Sequence, residues 1–323
     1  MKSNQETKFK NTFEEEVYEG LTAFPKYLSS KYFYDKKGDK LFQKIMALPE
    51  YYLTECERTI IEENKADISN LFSGDAGFDL VELGAGDGKK TKILLQELIE
   101  TKRDFTYKPI DISQNVLDEL EEDVLNRWPS INIETEQGTY FNILRKLSEQ
   151  QKDRKMVIVV LGSNIGNLPH KYAVEFLTTI RKSMQPEDLL FMGFDQKKDP
   201  QVILNAYNDS QGVTEEFNKN LLSRINEEMN ANFDLQKFNH WPVYDPENGT
   251  TKSFLVSTED QTVTLQNLDL DIHFSAWESI HTEISQKYDD VIVNWLAQEA
   301  GLVVEKQYSD PKNYFTDYIF RIK

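Results

Sequence analysis

The sequence predicts an α/β fold, in which a parallel sheet carries helices on both faces, together with a second α+β domain. Three observations support this prediction. An apolar strand runs into a glycine-rich turn and a helix early in the chain, and strands and helices then alternate through its middle. Residues 196–285 differ, because a long amphipathic stretch is followed by short strand-like runs. We expect one domain at 61–195 plus 286–323, and a second at 1–60 plus 196–285.

The most informative segment reads FDLVELGAGDGKKT, at residues 78–91. Its apolar half predicts a buried strand. Gly84, Gly86 and Gly88 allow the backbone to turn sharply and let a ligand approach it closely. Apolar side chains at helical spacing follow over Lys89–Thr101. A nucleotide-like ligand fits where such a turn meets a helix, although a plain tight turn is the structural alternative.

The next strand and helix add an acidic residue to this pattern. Phe105–Ile112 predicts a strand with Asp111 at its end, and Ser113 predicts the N-cap of a helix over Asn115–Trp128. A carboxylate at the end of the second strand can accept hydrogen bonds from both ribose hydroxyls of a nucleotide. The alternative is that Asp111 is an ordinary turn or capping aspartate.

The remaining elements follow from the same periodicities. In the first domain, we expect strands at Ile131–Glu136, Met156–Leu161, Leu189–Phe194, Val303–Tyr308 and Asp317–Ile322, and helices at Tyr172–Met184 and Val291–Ala300. In the second domain, we expect N-terminal helices within 11–60, an amphipathic helical region at Val202–Met229, and antiparallel strands at Phe254–Ser257, Thr262–Leu265 and Ile272–Phe274.

Composition and charge exclude several classes of function. The 323 residues include 55 acidic and 37 basic side chains, for a net charge of −18, which leaves no basic face for nucleic acid or an anionic membrane surface. The single cysteine, Cys56, excludes an internal disulfide, and the Cys and His residues show no zinc spacing, so we expect no metal. No signal peptide or membrane-length apolar run is visible. We therefore expect a cytoplasmic monomer that acts on a small molecule.

Motifs along the chain resemble those of one enzyme family. Glu82 directly precedes Leu83-Gly84-Ala85-Gly86, and this E-L-G-x-G form resembles the first motif of S-adenosylmethionine (SAM) methyltransferases. Further motifs are KYFYD at 31–35, LPEYY at 48–52, LGSNIGNL at 161–168, AYND at 206–209 and HTEISQKY at 281–288. Through these segments the chain resembles, over almost its whole length, the histidine-specific Nα-methyltransferases, which make the betaine hercynine on the path to ergothioneine.

The resemblance implies a class I SAM methyltransferase (Rossmann-like) sheet, SAM as cofactor, and trimethylation of the α-amino group of L-histidine. It also implies roles for individual residues. The SAM site would be lined by Gly84, Gly86, Lys90, Asp111, Thr139 and Tyr140. The substrate would be held by Asn167 and Tyr207 at its carboxylate, by Glu283 and Ser285 at its imidazole, and by Tyr51 and Tyr34, the catalytic candidates, at its amino group. The structural alternatives are a turn for Asn167, a helix core for Tyr207 and a polar strand face for Glu283 and Ser285.

Several positions depart from the family pattern. Thr139 stands where the family has an aspartate that meets the adenine edge, and Asn164 replaces a threonine in L-G-S-T. Ser253 stands where the family can place a methionine near the imidazole. These departures leave open another amino acid or a histidine derivative as substrate, or a protein that binds SAM without catalysis.

The tyrosines predict how far methylation proceeds. A quaternary ammonium has no N–H to donate, but it is attracted to aromatic faces. The segments that resemble the family's substrate site carry Tyr34, Tyr51 and Tyr207. We therefore expect the site to retain the amine as it gains methyl groups, so that the trimethylated product dominates.

Overall fold

The structure, a computed structural model, describes residues 9–150 and 153–323 and divides into two compact units. The parallel-sheet unit comprises Leu53–Lys197 and Gln286–Lys323, and the small-sheet unit comprises Met1–Tyr52 and Lys198–Ser285. The boundary predicted at residue 60 falls inside a continuous helix, Leu53–Phe72. The division lies before this helix because the helix packs against the strands of the parallel-sheet unit.

The elements are numbered in chain order. The helices are α1 (Thr12–Thr22), α2 (Lys36–Met46), α3 (Leu53–Phe72), α4 (Thr91–Glu100), α5 (Gln114–Arg127), α6 (Tyr140–Gln150), α7 (His170–Lys182), α8 (Pro200–Ala206), α9 (Val213–Met229) and α10 (Asp290–Glu299). The strands are β1 (Lys26–Tyr27), β2 (Phe78–Leu83), β3 (Phe105–Asp111), β4 (Glu136–Gln137), β5 (Lys155–Val160), β6 (Leu189–Asp195), β7 (Phe238–Asp245), β8 (Thr250–Ser257), β9 (Gln261–Leu265), β10 (Leu270–Phe274), β11 (Ser279–Gln286), β12 (Leu302–Ser309) and β13 (Phe315–Ile322).

The parallel-sheet unit is built on a sheet with the order β12-β13-β6-β5-β2-β3-β4. The strands from β6 to β4 are parallel, while β13 runs antiparallel to both β6 and β12. From β2 the chain proceeds outward to β3 and β4, and it then returns to the other side of β2 as β5. This reversal creates a switch point, and ligands of open α/β sheets bind at the carboxyl ends of the strands beside it. The loops after β2 and β5 therefore flank the expected ligand position.

The sequence predicted the alternation in this unit with errors of one to two residues at most element ends. The strand predicted at Ile131–Glu136 is wrong over most of its length. Ile133 makes only an isolated bridge to Tyr107, and the regular ladder is confined to Glu136–Gln137. None of the residues 129–137 is buried, so this open edge has no packing partner to hold a longer strand.

The small-sheet unit contains a four-stranded sheet with the order β1-β11-β8-β7 and a β9–β10 hairpin. Strands β8, β9 and β10 were predicted, whereas β1, β7 and β11 were not. The helical region predicted at Val202–Met229 is two helices, α8 and α9. They are separated because the Asp209 carboxylate accepts the backbone N–H groups of Gln211, Val213 and Thr214, and Gly212 has φ 72°.

The segment KYFYD at 31–35 sets the start of α2. Asp35 is the N-cap residue, and its Oδ1 accepts the N–H groups of Lys37 at 3.0 Å and Gly38 at 2.6 Å. The same oxygen accepts Nδ2 of Asn220 on α9 at 3.0 Å. A Cβ on Gly38 would collide with the carbonyl of Phe33, so only glycine fits there. These contacts fix the backbone on both sides of Tyr34.

The chain leaves the parallel-sheet unit after Lys197 and re-enters it at Gln286. Residues next to these two points bond to each other within the unit. Lys287 Nζ lies 2.7 Å from Asp195 Oδ2, and both side chains are fully buried. The N–H of Tyr288 donates to the carbonyl of Asp195 at 2.9 Å. A buried charge is tolerated when it is paired in this way.

Among the residues that the structure describes, no helix has the length and apolar character that a membrane span needs.

Glu82 joins three elements beneath the glycine turn. It lies on β2 and is 3% exposed, and it accepts hydrogen bonds from the hydroxyls of Thr91 on α4 and Tyr107 on β3. Burial raises the pKa of this carboxyl from its usual 4.5 to about 7, although both hydroxyls oppose the shift. Between pH 4.5 and about 7, Glu82 is therefore protonated in the folded protein but ionised in the unfolded chain.

The first prediction concerns Glu82→Gln. A folded pKa above the unfolded one gives stability that is complete below pH 4.5 and lost as the pH rises through about 7. Wild type should therefore lose about 2–4 kcal/mol of unfolding free energy relative to Glu82→Gln between pH 4.5 and 8. Urea unfolding of both proteins across this range measures the difference. A difference that does not change with pH would show that Glu82 has the same pKa in the folded and the unfolded protein.

Candidate active site

The glycine turn after β2 combines packed and open positions. Gly84, Gly86 and Gly88 have φ values of 72°, 52° and 60°, a region that favours glycine. A Cβ would lie 2.6 Å from the Tyr140 hydroxyl at Gly84 and 2.7 Å from Leu120 at Gly88, whereas at Gly86 it would meet no atom within 4 Å. Packing thus accounts for two of the glycines, and Gly86 leaves room for a ligand to approach the backbone.

Asp111 ends β3, and its Oδ1 accepts the N–H of Ser113 at 3.0 Å. Within the described residues its Oδ2 has no hydrogen-bond partner, so this oxygen can accept from ribose hydroxyls. Tyr140 begins α6, and burial, followed by the negative charge of Asp111, raises the pKa of its phenol. Tyr140 therefore stays a neutral donor next to the carboxylate. Thr139 precedes it and is exposed.

Lys90, at the start of α4, forms an ion pair with Glu57 of α3. Glu57 is fully buried and accepts the N–H of Gly162 at 2.8 and 3.0 Å with its two oxygens. Asp317 of β13 is also fully buried, and burial, followed by the charge of Glu57, raises its pKa well above the usual value. Asp317 is therefore neutral. About a quarter of the Lys90 side chain (23%) remains exposed.

The loop after β5, which reads LGSNIGNL, is held at several points. Ser163 has φ 57°, and its Oγ accepts the N–H of Asp195 at 2.9 Å. The Tyr288 hydroxyl donates to the carbonyl of Ile165 at 3.1 Å. Asn164, which departs from the family's threonine, is exposed and bonds only within the loop, to the carbonyl of Leu161. The Asn164 replacement is therefore compatible with the loop conformation.

A second group of predicted residues comes together in the small-sheet unit. The Tyr207 hydroxyl donates to Ser285 Oγ at 2.7 Å, and Tyr207 is 7% exposed. Ser253 Oγ on β8 donates to Glu283 Oε2 on β11 at 3.1 Å. Thr282 in turn donates to the carbonyl of Ser253 at 3.0 Å. The hydroxyl of Ser253, a departure from the family pattern, thus fixes the orientation of the Glu283 carboxylate.

The predicted tyrosines flank one phenylalanine in the same unit. Phe42 makes edge contacts with Tyr34 and Tyr51, with ring centroids 5.5 and 6.2 Å apart. Tyr34 is 45% exposed. Its surroundings raise the pKa of the phenol, first through partial desolvation and then through the negative charge of Glu283. Tyr34 therefore keeps its proton at neutral pH.

The structure places the predicted residues in two groups. Those predicted for SAM lie in the parallel-sheet unit, and those predicted for the substrate lie in the small-sheet unit. Asn167 is the exception, since it lies in the parallel-sheet unit, where it is exposed at the end of a 3-10 helix. Sequence reasoning assigned no role to Glu57 or Asp317. The sequence does contain a signal for a buried role of Glu57, because this acidic residue lies on the apolar helix face formed by Leu53, Ile60 and Ile61.

Comparison with known proteins decides the family. The model of the histidine-specific, SAM-dependent methyltransferases matches residues 13–322. The chain belongs to this family. Over 300 residues it is 35% identical to the histidine N-alpha-methyltransferase of Mycolicibacterium smegmatis. This alignment covers 93% of this chain and 92% of the relative. The predicted family and the SAM cofactor are therefore confirmed.

Two further comparisons of this histidine-specific methyltransferase concern substrate range and fold. It is 27% identical over 319 residues to the L-tryptophan methyltransferase of Psilocybe serbica, across 92% of this chain and 89% of the relative. The solved structure of the mitomycin 7-O-methyltransferase MmcR matches with a TM-score of 0.50 and 12% identity, across 97% of this chain and 69% of that one. This structural match confirms the class I fold and carries nothing further.

The second prediction tests the ribose contact. Replacing Asp111 with alanine removes two expected charge-assisted hydrogen bonds. SAM binding should weaken by about 2–4 kcal/mol, because water replaces such bonds only in part. Isothermal titration with SAM measures the change. Asp118→Ala, an exposed aspartate on the following helix, is the matched control and should leave the affinity unchanged. Equal affinities in the two folded variants would remove Asp111 from the SAM site.

Proposed function

We propose that the protein transfers methyl groups from SAM to the α-amino group of L-histidine and releases the trimethylated betaine, hercynine. The observation that carries this proposal is the group formed by Tyr207, Ser285, Ser253 and Glu283 in the small-sheet unit. It offers one carboxylate and several hydroxyls at fixed positions. This is the chemistry that recognises an imidazole, because the ring has one N–H to donate and one nitrogen to accept.

Glu283 and Ser285 are proposed to hold the ring of the substrate. Glu283 accepts from a ring N–H, and its carboxylate is oriented beforehand by Ser253 at 3.1 Å. Ser285 can act as donor to the second ring nitrogen, because a serine hydroxyl that accepts the Tyr207 proton keeps its own. Orientation before binding lowers the entropic cost of recognition.

Tyr207 is proposed to hold the carboxylate of the amino acid, and the same role for Asn167 stays a prediction from the family resemblance. Both are neutral donors, and neutral donors can satisfy a carboxylate without pairing it to a fixed cation. The Tyr207 hydroxyl is bonded to Ser285, so the proposal requires this proton to be shared with or turned toward the carboxylate. Asn167 is exposed and therefore free of packing constraints on its rotamer.

The amine must be neutral and aligned before each transfer. Bound SAM supplies an electrophilic methyl group, and Gly84, Gly86, Lys90, Asp111 and Tyr140 are the residues proposed to hold it. Orientation of the amine is the main catalytic contribution in such an in-line displacement. Tyr34 keeps its proton at neutral pH, which disfavours it as general base and leaves water to take the proton. Tyr34 and Tyr51 are instead proposed to attract the growing ammonium charge with their ring faces.

A second candidate keeps the reaction and changes the amino acid. The relative that is named an L-tryptophan methyltransferase covers nearly the whole chain. In this chain the position beside Glu283 carries Ser253, which is smaller than the methionine that the family can place there. Indole also donates one N–H, so Glu283 could accept from it, but indole has no second nitrogen for Ser285. The Ser285 hydroxyl therefore favours histidine over tryptophan. A monomeric state and a cytoplasmic location stay predictions.

The third prediction tests the substrate. Incubation with SAM and twenty amino acids, followed by mass spectrometry, should give trimethylhistidine as the dominant product, with the mono- and dimethyl forms scarce in a time course at excess SAM. Histidine should be preferred over phenylalanine by ~10³-fold or more in kcat/KM, because a phenyl ring leaves Glu283 unpaired. Glu283→Gln should reduce this preference without changing SAM binding. Comparable rates for histidine and phenylalanine would contradict the proposed ring recognition, and a preference for tryptophan would favour the second candidate.

The fourth prediction separates two roles for Tyr34. If its ring face and not its hydroxyl matters, Tyr34→Phe should keep kcat/KM for histidine within about threefold of wild type. Tyr34→Ala should lose about 0.5–2 kcal/mol, since the cation–π attraction disappears. The loss should be largest in the third methyl transfer, where the charge is permanent. Steady-state rates and product distributions measure both effects. A Tyr34→Phe variant as weak as Tyr34→Ala would restore the hydroxyl as a catalytic group.

A further inference from the structure

A half-buried histidine contacts one of the proposed substrate residues in the small-sheet unit. His240 on β7 places its Nε2 2.9 Å from the backbone carbonyl of Tyr207 and its Nδ1 2.8 Å from Nδ2 of Asn218. Asn218 lies on α9 and is 2% exposed, and its Nδ2 also approaches the carbonyl of Phe254 on β8 at 3.3 Å. The contacts of this one imidazole thus connect α9, β7 and β8 with the end of α8.

The hydrogen-bond partners define the tautomer of His240. The amide nitrogen of Asn218 can only donate, so Nδ1 of His240 accepts. Nε2 then carries the proton and donates it to the carbonyl of Tyr207. Burial lowers the pKa of His240, and the charges near it are those of Glu215, Asp209 and Lys219, which act in opposite directions. His240 is therefore neutral at neutral pH, as the two contacts require.

The carbonyl of Tyr207 lies at the end of a helix. Tyr207 follows α8 directly, and the last carbonyl groups of a helix receive no hydrogen bond from within the helix. His240 donates to this carbonyl from a neighbouring strand at 2.9 Å. Tyr207 is thereby held at both ends, since its carbonyl accepts from His240 and its hydroxyl donates to Ser285 Oγ at 2.7 Å.

We propose that His240, oriented by Asn218, is a positioning residue for the amino-acid site and acts through Tyr207. By fixing the backbone of Tyr207 it sets where the phenol hydroxyl stands, and through that hydroxyl it sets the orientation of Ser285. His240 itself touches neither substrate nor cofactor in this proposal. The inference rests on the proposed function, because it takes Tyr207 and Ser285 to be substrate-binding residues.

The test compares three variants with wild type at saturating SAM. His240→Leu removes both contacts and should raise KM for the amino acid about tenfold, with a smaller change in kcat and an unchanged dissociation constant for SAM. His240→Gln keeps one donor and one acceptor and should restore most of the affinity. His273→Leu is the matched control, because His273 on β10 is exposed, and this variant should behave as wild type. An unchanged KM in His240→Leu would overturn the proposal.

A double-mutant cycle distinguishes positioning from general loss of packing. Tyr207→Phe removes the hydroxyl but keeps the carbonyl that His240 binds. If His240 acts through that hydroxyl, adding His240→Leu to Tyr207→Phe should raise KM by less than twofold. A full tenfold effect in the Tyr207→Phe background, or a parallel loss of SAM affinity, would overturn the proposal. An unchanged KM in Tyr207→Phe alone would overturn the substrate role of Tyr207 and this inference together, whereas failure of His240→Leu alone leaves the proposed function intact.

A further measurement observes the imidazole of the wild-type protein directly. The chain has four histidines, so nitrogen-detected NMR can assign the His240 ring by comparison with His240→Gln. The proposal requires a neutral ring with the proton on Nε2 at neutral pH. A proton on Nδ1 would be incompatible with the contact to Asn218 and would overturn the assignment.

Discussion

The buried carboxylate of Glu57 is the constraint on which the ligand-facing edge of the parallel sheet depends. It has no contact with water, and it is stable there only while Lys90 and the N–H of Gly162 stay in place. A Cβ on Gly193 would collide with it, so β6 must also pass without a side chain. One charged group therefore holds α3, the glycine turn, the loop after β5 and β6 at the point where the strand order reverses.

The protonation of Asp317 completes this arrangement. With Asp317 neutral, the cluster contains one negative charge on Glu57 and one positive charge on Lys90, so its net charge is zero. A second buried anion beside Glu57 would lack a partner of its own, and the raised pKa of Asp317 disfavours that state.

Local sequence patterns sufficed to predict the elements of the parallel-sheet unit, because its strands are buried and its turns carry glycine. They failed in the small-sheet unit for identifiable reasons. β7 contains Pro242 and mixes polar and aromatic residues, and β11 reads as a polar run, so neither shows the alternation of a half-buried strand. The helix break at Tyr207–Gly212 depends on Asp209, whose carboxylate accepts three backbone N–H groups two to five residues later, a local turn that the helical periodicity does not reveal. The family resemblance supplied the candidate residues, but the bonds of Ser253, Asn218 and His240 join residues distant in sequence and required the structure.

Under the proposed function, the bonds within the small-sheet unit give a physical basis for selecting a substrate ring. Tyr207, Ser285, Ser253 and Glu283 are bonded in pairs, and each pair crosses between elements. Rejection of a wrong ring depends on the cost of leaving such groups unpaired, and this cost is high only when they cannot relax. A pocket lined by mobile hydroxyls would turn them to one another or to water and discriminate poorly. Rigid support of Tyr207 and Glu283 from outside the pocket is therefore as much a part of specificity as the atoms that contact the ring.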